Sequence, residues 1–198
     1  CKETHTAYKM LSIQTWKRFA KAMSDCGRQD LSRKYETYAD EKQQQLQCSP
    51  DWQEGLDIFA ASDAVNAGVV SPEDVSSLWK NVYSDRLQRV SYSPFNQYFV
   101  INALAHLGRY GEAMNTIDDC WGGQLRYGAT TFFEVFRPSW NLCKLKDNDA
   151  PVNNQCGYTS FTHPWSAGVA KWLSEEILGV KPETPGFKTF TVCPHLTS

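Results

Sequence analysis

Two side chains stand out as able to do chemistry, a carboxylate and an imidazole. Glu134 closes the stretch Gly128-Ala129-Thr130-Thr131-Phe132-Phe133-Glu134, and His163 opens His163-Pro164-Trp165-Ser166-Ala167-Gly168. A carboxyl group walled in by rings loses water. Its charged form is then disfavoured, and it can work as an acid or base near neutral pH. Phe132, Phe133, Val135 and Phe136 supply such walls. Thr130 and Thr131 ahead of an apolar run also read as a helix start, with Glu134 about one turn inside it. Glu134 therefore has a second reading, as a first-turn acid favoured by the positive end of the helix dipole. His163, just before a helix, reads either as a ligand contact or as a structural residue. Trp121, Trp165 and Trp140 are candidate ring platforms, although cores use such rings too. His106 and His195 read as structural or surface residues.

The totals bound what those groups can belong to. The chain has 198 residues, 41% of them hydrophobic, which suits one domain or part of a larger one. A formal charge of −2 leaves no basic footprint for nucleic acid. No run of about eighteen apolar residues exists to form a membrane span. Seven cysteines occur, without a C-x-x-C pair and without a histidine at ligand spacing, so no metal site and no cofactor is expected. Disulfides in an extracellular or secretory-pathway compartment are expected instead, with Cys143 and Cys156 placed to staple a polar loop. Buried free thiols are the other reading. The count is odd, so at least one sulfur is free or bonded to another chain. Cys1 opens the sequence as a processed or excised fragment would.

The elements that must position Glu134 and His163 are helical. Met10, Ile13, Trp16, Phe19, Ala20 and Met23 recur at helical spacing over about 4–25, and Gly27 stops them. A polar, outer helix is expected over about 30–47, and a small-residue helix near 55–67. Ser71-Pro72-Glu73-Asp74 and Ser93-Pro94 read as helix starts. The second of these opens a buried helix, which Gly108 ends. A polar return helix follows over 110–119, and Gly122-Gly123 reads as a loop leading to Gly128. A long loop is expected over 137–162 and a last helix from His163 to Gly179. A turn and a single strand are expected within 181–195. The alternation of buried and exposed helices on short links predicts an all-α fold of antiparallel hairpins, about eight helices, as an open solenoid or a closed α/α toroid.

Several stretches together resemble the α-L-rhamnosidase family of six-hairpin glycoside hydrolases. They are Ser93-Pro94-Phe95, Gly108-Arg109 with Glu112-Ala113, Trp121-Gly122-Gly123, Gly128 to Glu134, His163 to Gly168, Leu178 to Pro182, and Pro185-Gly186-Phe187. The resemblance implies an α/α toroid followed by a C-terminal β-sandwich. On it, residues 1–180 are the C-terminal part of the toroid, about four of its six hairpins. Residues 181–198 begin the β-domain. The missing hairpins would come from an upstream polypeptide, and the odd cysteine leaves room for a disulfide to it. The resemblance assigns Glu134 as general base and His163 as a sugar contact in an inverting hydrolysis of terminal α-L-rhamnosyl or similar deoxysugar linkages. The general acid would lie upstream, since no segment here matches its motif.

Two departures bear on the substrate. Phe133 stands where a Trp is usual, which keeps a flat wall and loses an indole N–H. Pro164 follows His163 where a small residue is common. The Phe133 change and the cysteine enrichment motivate the alternative of a non-catalytic glycan-binding or structural relative. A helical-repeat scaffold with no sugar site is the third reading.

Overall fold

The computed structural model describes residues 2–49, 53, 56–142 and 159–196. It is mostly α-helical, with a short two-stranded sheet near the C-terminus. The chain divides into two compact units, residues 1–84 with 182–191 and residues 85–181 with 192–198.

In the first unit, α1 (Lys2–Asp25) and α2 (Gln29–Gln47) form an antiparallel hairpin. Gly27 turns the chain at φ 75°, the left-handed region that glycine enters without a side-chain clash. Trp16 meets Tyr38 and Phe19 meets Tyr35 edge-on across the pair. Met10, Ile13, Ala39 and Leu46 then close a core with Ala64, Ala67 and Val69. The outer character expected of α2 holds, since its buried residues are Ser32, Ala39 and Leu46.

Helix α3 (Ile58–Asn66) begins three residues later than the apolar pattern suggests. The reason is Asp57, whose carboxylate accepts the N–H groups of Phe59 (2.9 Å) and Ala60 (2.8 Å) and fixes the start. Asp57→Ala is expected to cost about 1 kcal/mol, read as a lower denaturant midpoint at unchanged slope.

Asp63, on the same helix, is half-buried. Burial pushes its carboxyl up to about 6, and the Asp57 charge adds to the rise. Because the folded value lies above the unfolded one, the folded state holds this proton more tightly. Its contribution is full below about pH 4 and is lost as pH rises through about 6. Asp63→Asn should therefore stabilise the protein at pH 7 by about 1–3 kcal/mol and do little at pH 3.5. Urea midpoints at the two pH values check this.

Ser71-Pro72 opens a turn rather than the helix itself. Ser71 Oγ donates to Asp74 (2.8 Å) and accepts the Asp74 N–H (3.3 Å). The helix α4 (Val75–Leu78) follows and widens into a π-helical turn, Trp79–Tyr83.

In the second unit, α5 (Pro94–His106) carries Pro94 at its first turn as expected, and buries Val100, Ile101, Ala103 and Leu104. Gly108 reverses the chain at φ 69°. The return helix α6 (Tyr110–Ile117) runs on through a π-helical turn, Asp118–Gly122, into α7 (Gly123–Tyr127). The loop expected at Gly122-Gly123 is therefore a continuous helix. These glycines serve packing. A Cβ on Gly123 would lie 2.5 Å from the Phe136 ring, and one on Gly122 would lie 2.5 Å from the Asp118 carboxylate. Gly128, at φ 109°, ends α7.

After a 3₁₀ turn, Pro164–Ala167, α8 (Gly168–Trp172) buries Val169 and Trp172 and continues as a π-helical turn, Leu173–Ile177. The expected single strand is in fact a hairpin. β1 (Val180–Pro182) pairs with β2 (Phe190–Val192), so the chain supplies the strand's partner itself.

Among the described residues Cys26, Cys48, Cys120 and Cys193 are free thiols. Cys26 and Cys48 flank opposite ends of α2, about 30 Å apart at 1.5 Å per residue, far beyond disulfide reach. The expected Cys143–Cys156 staple, and Cys1, lie outside the described residues.

Candidate functional site

The stretch that carries Glu134 is not a helix. Past Gly128 its backbone N–H groups leave the helical ladder and find partners elsewhere. The Ala129 N–H goes to the Gln124 carbonyl (2.9 Å), the Glu134 N–H to the Ser160 carbonyl (2.8 Å), and the Phe136 N–H to the Tyr92 carbonyl (2.9 Å). The Phe133 N–H goes to the side-chain oxygen of Gln124 (3.0 Å). The Ala129 bond closes the end of α7, and the Phe133, Glu134 and Phe136 donors go to Gln124, Ser160 and Tyr92 rather than to carbonyls four residues back. This run therefore closes no helical turn, which corrects the expectation of Glu134 one turn inside a helix.

Burial is uneven along this irregular stretch. Phe133 and Val135 are buried, while Phe132 and Glu134 are half-buried.

The same stretch lies against residues 160–163. The His163 N–H donates to the Phe132 carbonyl (2.8 Å), and Thr131 Oγ1 donates to the Phe161 carbonyl. Ser160 grips Glu134 twice, because its carbonyl takes the Glu134 N–H and its own N–H donates to the carboxylate Oε2 (3.1 Å). The two chemistry-bearing motifs, far apart in sequence, are thus joined backbone to backbone. Arg137 lies over the Tyr92 ring, 4.7 Å from its centroid, three residues beyond Glu134.

The candidate rings separate into two groups. Trp165 is 60% exposed, packs edge-on against the half-buried His163 (4.4 Å) and tilts against Phe95 (5.4 Å). Phe133 sits in the core against Phe161 (4.5 Å) and Tyr127 (6.1 Å). Trp121 is buried, and its indole N–H donates to the Ser166 carbonyl (3.0 Å). Trp140 packs on Phe136 (5.5 Å) and Tyr127 (6.1 Å). His163, Trp165 and Phe95 thus form one cluster of rings, with Trp165 its most exposed member. Sequence reasoning placed Phe95 on a buried helix and did not see Gln124 or Ser160 as site residues. The only available signal was Gln124, a polar residue between the apolar Trp121 and Leu125.

A mostly apolar groove of about 570 Å³ runs between α6–α7 and α8, with Trp121, Leu125, Leu173, Thr131 and Phe132 in its wall. Glu134 and His163 are not part of that wall. A smaller hollow of about 320 Å³ in the first unit, beside Asp74 and Asn81, holds none of the candidate residues. Among the described residues no group of three or more His, Cys, Asp or Glu is arranged to hold a metal ion. No described helix is long and apolar enough to cross a membrane.

No family model matches the chain. An α-L-rhamnosidase of Alteromonas sp. (strain LOR) is 37% identical to it over 78 residues, which make up 39% of this chain and 8% of that relative. The chain thus matches only a small part of that relative's length.

Proposed function

We propose that this chain is part of an inverting glycoside hydrolase for terminal α-L-rhamnosyl or similar deoxysugar linkages, with Glu134 as general base. The observation that supports the reading is the backbone pairing of Phe132–Glu134 with Ser160–His163, which brings the segments carrying Glu134 and His163 side by side. The partial likeness to an α-L-rhamnosidase supports the same class of reaction.

Inversion needs two carboxyl groups about 6.5–9.5 Å apart, with a water between the base and the anomeric carbon. Glu134 takes a proton from that water as its oxygen bonds to the carbon. The glycosidic bond breaks on the opposite face, and the leaving oxygen receives a proton from an acid on an upstream polypeptide that completes the toroid. The Ser160 N–H holds Glu134 Oε2, so Oε1 is the oxygen assigned to take the proton. His163 donates to or accepts from a sugar hydroxyl, and the exposed Trp165 ring offers a face for the sugar's apolar side.

A dinitrophenyl α-L-rhamnoside tests this reading, because its leaving group departs as an anion without the acid. Hydrolysis with the β-anomer as the first product, seen by proton NMR, is expected. Absence of hydrolysis, together with no rise in melting temperature on titrating rhamnose, would sink the proposal. A ligand at a hundred times its Kd stabilises by about 2.7 kcal/mol.

A further inference from the structure

The Glu134 stretch has hydrogen-bonded backbone on the side of residues 160–163, and toward the helices a side chain holds it. Gln124 is 2% exposed, on α7. Its carbonyl accepts the Ala129 N–H (2.9 Å), and its side-chain oxygen accepts the Phe133 N–H (3.0 Å). The first is the ordinary helix-end bond, made also by Arg28, Val69 and Arg109, and the second is particular to the glutamine side chain and fixes the residue before Glu134. The amide has one workable orientation. Phe133 N–H requires an acceptor, so Nε2 must point the other way, where it meets the buried Cys120 thiol at 3.9 Å. Burial holds that thiol protonated, pushed up to about 12, so it offers a neutral sulfur to the amide.

The same device occurs once more in this unit. Gln97, fully buried, donates to the Arg89 carbonyl (2.9 Å) and accepts the Ser91 N–H, holding the approach to α5. In both places a buried glutamine supplies hydrogen bonds to a chain that has left regular structure. An apolar side chain at Gln124 would leave the Phe133 N–H buried without an acceptor, and the segment would shift to find one.

We propose that Gln124 is the positioning residue for Glu134: through the Phe133 backbone it sets where the next residue's carboxylate points. This rests on the general-base reading above. Gln124→Met keeps the volume and removes the acceptor, while Gln124→Glu keeps an acceptor oxygen. In Gln124→Met the Phe133 amide is expected to exchange at least about tenfold faster, with the amides of Val100 and Ile101 unchanged. Turnover of the dinitrophenyl rhamnoside is expected to fall about 10- to 100-fold at unchanged KM, because misplacing a reacting group lowers kcat. Gln124→Glu should recover most of both.

An active wild type whose kcat ignores Gln124→Met would overturn this role alone. An inactive wild type would overturn the general-base reading and this role with it. A change in KM rather than kcat, or equal loosening at Val100 and Ile101, would reduce Gln124 to a structural residue. If Gln124→Met does not fold, the wild type still decides: a Phe133 amide exchanging as fast as in an unstructured peptide excludes the clamp.

Discussion

Glu134→Gln is expected to lower turnover of an activated α-L-rhamnoside by about 10²–10⁴-fold, the range a general base contributes. The substitution suits the question because it is nearly isosteric. The Ser160 N–H that donates to Glu134 Oε2 at 3.1 Å finds an amide oxygen in its place, and the backbone bonds of Glu134 and Phe136 do not involve the side chain. The fold should stay, with a melting temperature within a degree or two, while the water loses its proton acceptor. Sugar binding should persist, since His163 and Trp165 are untouched, so KM should move far less than kcat. Retained turnover in this variant would end the assignment of Glu134. Loss of turnover together with a fall in melting temperature would show that the carboxylate holds the segment to Ser160 rather than reacting.

What the sequence makes legible follows from where local physics decides. Gly27, Gly108 and Gly179 all sit at positive φ at helix ends, and each is readable as a stop. Pro94 after Ser93 marks a start that the structure keeps. The alternation of buried and exposed helices is legible because a helix face meets either core or water over several turns.

The candidate site is less legible because tertiary contacts decide it. The run Phe132–Phe136 is apolar at nearly every position, so it fits a buried helix or an extended segment equally well. What selects the irregular form is a set of partners from Gln124, Ser160 and Tyr92, and only Gln124 is near in sequence. Gly122-Gly123 misleads for a related reason. Paired glycines usually mean a turn, but the approach of Phe136 that they permit is visible only in three dimensions. The approach of residues 132–134 to residues 160–163 joins segments more than twenty residues apart, and no local pattern in either segment signals it.

Gly179→Ala is expected to cost at least about 3 kcal/mol, by strain at a special backbone angle and by collision. Gly179 ends the helix at φ 68°, where a side chain alone costs about 1 kcal/mol. Its second constraint is heavier. A Cβ there would sit 1.9 Å from the Cys193 carbonyl oxygen and 2.1 Å from the carbonyl carbon, both backbone atoms that no rotamer can move. The approach is this close because Cys193 N–H bonds to the Gly179 carbonyl (3.0 Å) and His195 N–H to the Ile177 carbonyl (3.0 Å). The His195 ring continues the attachment, stacked on Tyr110 at 3.9 Å with Nδ1 2.7 Å from the Glu176 carbonyl oxygen. The variant must therefore push the C-terminal strand off the helix end. Amide exchange at Cys193 and His195 should quicken together, and the Tyr110 ring shift on His195 should vanish from the proton spectrum. Gly108→Ala is the matched control, with φ 69° and nothing within 4 Å of its added Cβ, so it should cost only the backbone term of about 1 kcal/mol. Equal losses in the two variants would mean that the strand is free to move aside, and that the contact at Gly179 contributes nothing to holding it.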